Sequence, residues 1–119
     1  MFRLNHFAMV VDDPAGAAKL YQRLLMPEGE IIHLGDNLHL RDDQGSDLAF
    51  HSGTLDLHGS HLHFGFLAGS AASIDALQSR LQREGLTITD DCNEEGFRSI
   101  KFCDPWGYEC EVYWENGWP

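Results

Sequence analysis

Basic residues are scarce in this chain. Eight lysines and arginines stand against 19 aspartates and glutamates, a formal net charge of −11 at pH 7. That balance excludes nucleic acid as a partner and favours a cationic ligand or a metal ion over an anionic one. Cysteine is sparse too. Cys92, Cys103 and Cys110 are odd in number and lack metal-type spacing, so they are expected as reduced thiols, with Cys110 in the core. No apolar run approaches the ~18 residues of a membrane span, and the N-terminus lacks the basic-then-apolar pattern of a secretory signal. A protein off the membrane and in the cytoplasm is therefore expected.

What is present is ordinary for a globular protein: 43% hydrophobic and 23% charged residues. A length of 119 residues suits one domain with one core. Histidine is the exception. There are seven, and all but His6 lie between positions 33 and 63 inclusive.

Taken in order, residues 4–11 alternate as a strand, with Phe7, Met9 and Val11 on one face and His6, Ala8 and Val10 on the other. Asp13 and Pro14 supply an N-cap and a first helical residue. Ala17, Leu20, Tyr21, Leu24 and Leu25 then form an apolar stripe at helical spacing. Three short strands are predicted at about 30–34, 37–41 and 47–51, separated by Gly- and Asp-rich turns. In the third, Leu48 and Phe50 face one way and Asp47, Ala49 and His51 the other. A polar connector over 52–60 follows. The plan then repeats: a strand over 61–67 with Leu62, Phe64 and Phe66 opposite His61, His63 and Gly65; a helix capped by Ser70 or Ser73 with the stripe Ile74, Leu77 and Leu81 and ending at Gly85; strands near 86–89 and 97–103; and a closing strand, 108–114.

Counting supports a duplication. His6 and His61 are 55 residues apart, while Leu20 to Leu77 and Leu24 to Leu81 are each 57, which implies about two extra residues before the second helix. The expected architecture is α+β: two tandem βαβββ modules, about 1–52 and about 60–119, forming within a single domain a curled, mostly antiparallel sheet cup with helices outside. The apolar faces of both first strands should pack on the helices. The closing strand is introduced by Asp104-Pro105-Trp106-Gly107, strong turn chemistry. Its Tyr108, Cys110, Val112 and Trp114 share one face; Glu109, Glu111 and Tyr113 share the other. His6, His61 or His63, and Glu111 then lie on helix-free faces. Two imidazoles and a carboxylate suit divalent iron, manganese, zinc, nickel or cobalt, with positions left open for substrate.

This duplicated plan resembles the vicinal oxygen chelate superfamily, which includes glyoxalase I, fosfomycin resistance enzymes, extradiol dioxygenases, methylmalonyl-CoA epimerase and bleomycin resistance proteins. Leu4-Asn5-His6 before an apolar strand, Asp-Pro and a helix ending Leu20-Tyr21-x-x-Leu24-Leu25 is similar to its opening. His61-Leu62-His63-Phe64 is similar to its central His-x-x-Phe. Phe102-x-Asp104-Pro105-x-Gly107, with Glu111 seven residues after the Asp, is similar to its closing motif. The resemblance implies His6, His61 and Glu111 as ligands of a divalent metal, with His63 as an acid/base neighbour and the fallback ligand. It implies proton transfer by cavity-face residues, for which His63, Glu109 and His51 are the candidates here, with Tyr113 beside them and Lys101 placed to meet an anionic group. It also implies a small substrate with adjacent oxygens and a homodimer, for which Trp114, Trp118 and Pro119 would suit the interface.

Departures narrow the resemblance. Glyoxalase I adds a fourth ligand, a Glu or Gln in the last strand of the first module, where Ala49 and His51 are the positions available here. Fosfomycin enzymes carry a Thr two residues after the first His, where Ala8 stands, and a basic residue beyond the metal Glu, which is missing through Pro119. Extradiol dioxygenases share the two-His-one-Glu set but are usually longer. Bleomycin resistance proteins are acidic, often lack the triad and hold a cationic drug in an aromatic groove; Trp106, Trp114 and Trp118 are the aromatics such a groove could use. A metal-dependent lyase, isomerase or dioxygenase is the first expectation, and a metal-free binder of a small cationic molecule the alternative.

Overall fold

The computed structural model describes residues 2–57 and 59–119; Met1, and His58 within the predicted connector, lie outside the described residues. Two compact units, 1–55 and 56–119, divide the chain.

The first unit runs β1 (His6–Val11), α1 (Pro14–Leu24), β2 (Glu30–Leu34), β3 (Asn37–Arg41) and β4 (Asp47–Ser52). The second runs β5 (His63–Leu67), α2 (Ala71–Arg83), β6 (Thr87–Glu94), β7 (Phe97–Cys103) and β8 (Glu109–Glu115). Both are βαβββ. Their sheets have the orders β1-β4-β3-β2 and β5-β8-β7-β6. In each, the first strand pairs in parallel with the last, and the other two pairings are antiparallel. The helix and the two middle strands together form the long connection that a parallel pairing requires.

Local chemistry starts and stops the elements. Asp13 caps α1 by accepting from the Gly16 amide at 3.0 Å, ahead of Pro14. Ser70, rather than Ser73, caps α2 and accepts from the Ser73 amide at 3.2 Å. The α1 stripe buries Ala17, Leu20, Tyr21 and Leu24 against β2, β3 and β4; the α2 stripe buries Ile74, Leu77 and Leu81 against β6, β7 and β8. Leu25 caps α1 and is only half-buried. Met9 and Val11 of β1 are fully buried, whereas Phe64 and Phe66 of β5 are only partly so, although both first strands lie at the margin of their sheets.

Two expectations change. The strand predicted over 61–67 begins only at His63, and Leu62, expected on the core face, is 56% exposed. The strand predicted near 86–89 continues to Glu94, because Asp90–Glu94, polar except for Cys92, pair with β7 and turn back at Gly96, whose φ is +77°. Counting from His63 also removes the apparent insertion: His6 to His63 is 57 residues, the same as Leu20 to Leu77.

Two polar residues lock the second unit. Asp104 is 4% exposed, and its Oδ1 accepts from the amides of Trp106 and Tyr108, both at 2.9 Å, while Gly107 takes φ +93°. This turn pairs Cys103 with Glu109 and so sets the register of β8. Arg98 is 4% exposed. Its guanidinium donates to Asp75 and Gln78 of α2, to Asp91 and the Cys92 carbonyl of β6, and to the Ser99 carbonyl, at 2.6–3.3 Å. It ties helix to sheet through five acceptors, a geometry that an ammonium cannot match.

Arg98→Ala is expected to destabilise the protein by about 2–4 kcal/mol in urea unfolding, with Arg98→Lys recovering only part of the loss. All three cysteines are free thiols. Burial, followed by the charges of Asp104 and Glu111, pushes the Cys110 thiol well above its usual range. A thiol reagent should therefore leave Cys110 unmodified in the native protein and reach it only on unfolding.

Candidate metal centre

Alternation and pairing define a helix-free face in each sheet. In the second unit it carries His63 and Gly65 of β5, Glu109, Glu111 and Tyr113 of β8, and Lys101 of β7. In register, His63 lies beside Glu109, Gly65 beside Glu111, and Lys101 opposite Glu111. The His63 Nδ1 lies 3.2 Å from the His61 carbonyl oxygen, and its Nε2 lies 3.7 Å from Glu111 Oε2. A carbonyl can only accept, so Nδ1 is the donor in that contact, and the neutral ring with this tautomer has its lone pair at Nε2. The 3.7 Å gap is too long for a hydrogen bond. It is short enough for both atoms to bind one divalent ion at about 2.0–2.2 Å each.

The neighbours leave that pair accessible. A Cβ added to Gly65 would come within 3.2 Å of the Glu111 carbonyl oxygen, so glycine lets β5 run close to β8 at this point. Glu109 is occupied otherwise. The β-bulge between Ile88 and Asp90 leaves Thr89 as an extra residue, and its hydroxyl donates to Glu109 Oε2 at 3.0 Å. The Tyr113 hydroxyl accepts from Trp118 Nε1 at 3.2 Å, and its ring lies 6.5 Å from that of Phe97. His61 lies before the strand and is exposed; its carbonyl, rather than its ring, is what serves His63.

In the first unit the corresponding face carries His6 and Ala8 of β1, Asp47, Ala49 and His51 of β4, and His39 and Arg41 of β3. Asp47 is the centre of a cluster. His6 Nδ1 lies 3.0 Å from its Oδ2, His39 Nδ1 2.9 Å from its Oδ1, and an Arg41 guanidinium nitrogen 3.2 Å from Oδ2. Burial alone would raise the Asp47 pKa, but hydrogen bonds from His39, Arg41 and His6 outweigh it and hold the carboxyl below its usual range. Ligand-capable atoms of His6, His39 and Asp47 lie within 4.8 Å of one another. His51 stands two register steps from the His6–Asp47 pair, with fully buried Ala49 between.

The matching pairings relate the units position by position. His6 beside Asp47 corresponds to His63 beside Glu109, Ala49 to Glu111, His39 to Lys101 and His51 to Tyr113. The first unit's counterpart of Glu111 is thus an alanine, and His51 does not occupy that position. Sequence reading passed over His39, Arg41 and Asp47. Their signal was present, since His39 and Arg41 alternate with Leu38 and Leu40, but only strand pairing brings them to Asp47.

A family model described as the Glyoxalase/Bleomycin resistance protein/Dioxygenase superfamily matches residues 3–112. No curated protein matches. Among solved structures, the oxidase ChaP-H2 aligns with a TM-score of 0.77 and 22% identity over 98% of this chain and 96% of its own. The fosfomycin resistance protein FosX from Listeria monocytogenes aligns at 0.80 and 18%, over 98% and 96%, and has also been solved with Mn(II) and sulfate. Lactoylglutathione lyase from Agrobacterium tumefaciens aligns at 0.70 and 18%, over 94% and 92%.

The lowered Asp47 pKa gives a pH dependence with a definite sign. A depressed carboxyl stabilises the fold above its unfolded pKa of about 3.9 and loses that contribution as pH falls through the folded value. Urea unfolding should show Asp47→Asn less stable than wild type at pH 7, with the difference shrinking below about pH 4.

Proposed function

The chain belongs to the glyoxalase/bleomycin resistance protein/dioxygenase superfamily, and from that membership we propose that it is a metal-dependent enzyme acting on a small substrate with two adjacent oxygens. The proposed ligands are His6, His63 and Glu111. His63 is preferred to His61 because it holds the strand register equivalent to His6, and because its Nε2 faces Glu111 across 3.7 Å. That pairing is the observation that carries the reading. Both proposed imidazoles have Nδ1 engaged by an oxygen, Asp47 for His6 and the His61 carbonyl for His63. In both, Nε2 is left as the donor atom, the arrangement common to metal-binding histidines. A divalent ion held there supplies Lewis-acid stabilisation of an enolate, alkoxide or other oxyanion.

The chain's own residues account for the rest. Ala49 offers no fourth ligand, so the set is two histidines and one carboxylate, of the kind that leaves positions open for substrate oxygens. This favours dioxygenase, isomerase or lyase chemistry with three protein ligands over the four-ligand glyoxalase I arrangement. Glu109, steadied by Thr89, is the proposed proton acceptor beside Glu111. Lys101, opposite Glu111, is placed to meet an anionic group of the substrate. His51 is proposed only as a more distant proton carrier. Manganese, iron, zinc, nickel and cobalt all suit the donor set, and manganese is supported by the Mn(II) complex of the Listeria relative.

A second reading, a metal-free protein that sequesters a small cationic molecule, draws on one cleft of the first unit. Its volume is about 330 Å³, and Glu28, Glu30, Asp42 and Asp43 line it with Ile32 and Arg41. Four carboxylates against one guanidinium suit a cation. We also propose a cytoplasmic homodimer. The free thiols support the compartment. Exposed Phe2, Leu4 and Trp118 support the association, whereas Trp114 is half-buried and offers it less.

Protein purified without chelator and loaded with Mn(II), Fe(II), Zn(II), Ni(II) or Co(II) should bind one ion per chain by elemental analysis. His6→Ala, His63→Ala and Glu111→Ala should each abolish stoichiometric binding, while His61→Ala should retain it. No stoichiometric uptake of any of these ions by the wild type would leave the cation-binding reading in its place. Light scattering should give twice the 13.4 kDa chain mass.

A further inference from the structure

The two proposed metal-binding histidines are held in different ways, and the difference singles out a residue. His63 leans on a backbone carbonyl. His6 leans on a side chain, Asp47, which is itself gripped from two further directions. We infer that Asp47, braced by His39 and Arg41, is the positioning residue for His6: it fixes the Nδ1–H tautomer and the orientation of the ring, so that Nε2 is presented as a ligand. This rests on the metal-binding reading above and assigns the first unit's share of it.

Each contact constrains the next. An ionised carboxylate has no proton to give, so the 3.0 Å contact from His6 Nδ1 is a hydrogen bond only if that nitrogen carries the proton. The same holds for His39 Nδ1 at 2.9 Å. The two rings take different oxygens, His6 on Oδ2 and His39 on Oδ1, so the carboxylate cannot rotate without losing one of them. Arg41, the register partner of Asp47 on β3, adds a third bond at Oδ2 and a compensating charge. His39 and Asp47 have side chains only 12% and 13% exposed, whereas that of His6 is 48% exposed. The bracket is therefore set in the sheet and its outermost member is the proposed ligand. The His39 ring lies beside the His6 ring, 6.1 Å between centroids and 29° apart in plane.

The same atoms exclude a simpler assignment. His6, His39 and Asp47 are near enough to bind an ion of their own. Both Asp47 oxygens, however, are already taken by donors, one of them the cation Arg41, which an incoming ion would have to displace. In the second unit the residue in the register of Asp47 is Glu109, bound to Thr89 instead, so the device belongs to the first unit.

The test uses the full-length protein with Mn(II) or Co(II) as the probe, in competition with a chromogenic chelator, together with ring ¹⁵N spectra of the metal-free protein. Wild type should show His6 as the Nδ1–H tautomer. Asp47→Ala should weaken metal binding by about 10–100-fold and convert His6 to mixed tautomers, with His39→Ala producing a smaller loss of the same kind. Asp47→Glu should restore part of the affinity and of the spectrum. Asp47→Asn, closest in shape, replaces Asp47→Ala if circular dichroism shows that variant unfolded. Wild-type affinity and an unchanged His6 tautomer in a folded Asp47 variant would overturn the positioning role while leaving the metal reading intact. Loss of binding in His39→Ala as complete as in His6→Ala would also overturn it, by making the cluster a ligand set. Failure of wild type to bind metal would sink the metal reading and the ligand role of His6 with it, whereas the tautomer spectrum reports separately on whether Asp47 orients the ring.

Discussion

A side chain in a paired strand can point only to one of two faces, and in each unit a helix covers one of them. Everything proposed about this chain depends on that restriction. A slip of one residue in β8 would bury Glu111 under α2 and turn Cys110 outward. The slip is prevented by Asp104, which is buried, accepts two backbone amides with a single oxygen and holds the tight turn into the strand. Its cost of burial is offset by those bonds, and its effect is transmitted as register to every residue of β8.

The second unit relies on a further polar anchor of a different kind. Arg98 occupies an inward position that alternation reserves for an apolar residue, between the helix and the sheet. Its charge is tolerable there because five acceptors surround it and because Asp75 and Asp91 remain partly in water, 64% and 43% exposed. The arrangement also explains why the polar run Asp90–Glu94 forms a strand: Asp91 and the Cys92 carbonyl are bound by Arg98. The first unit has its own polar cluster, but on the opposite, helix-free face, where Asp47 collects His6, His39 and Arg41. One unit uses buried charge to join its layers; the other uses it to arrange a surface.

Much of this was legible in the residues. The caps at Asp13 and Ser70, the apolar stripes, the Asp104–Gly107 turn and the duplication all rest on interactions between residues close in sequence, which a linear reading can weigh. The alternation of β1 and β8 placed His6 and Glu111 on helix-free faces for the same reason. The choice between His61 and His63 was not legible. Two residues apart, they share the same parity, so alternation cannot separate them, and the His-x-x-Phe spacing favours the first. Pairing with β8 gives them different places, since the ladder begins at His63 beside Glu109 while His61 precedes the strand, and the proposed preference for His63 rests on that difference. The constant 57-residue offset between units agrees with it, and the 55-residue count from His61 does not.

By itself, then, the sequence determined the elements, their duplication, the family resemblance and which faces could carry chemistry, because period, caps and turns act over a few residues. Tertiary structure decided which side chains meet. His39 and Arg41 lie six or more residues from Asp47 in sequence and His6 lies 41 away, and hydrogen-bonded strand pairing converts those separations into contacts of about 3 Å. It also decided that Thr89 holds Glu109, through a bulge that no periodic pattern marks, and that Ala49 rather than His51 stands in the first unit where Glu111 stands in the second. Register is a relation between strands, and only the folded sheet specifies it.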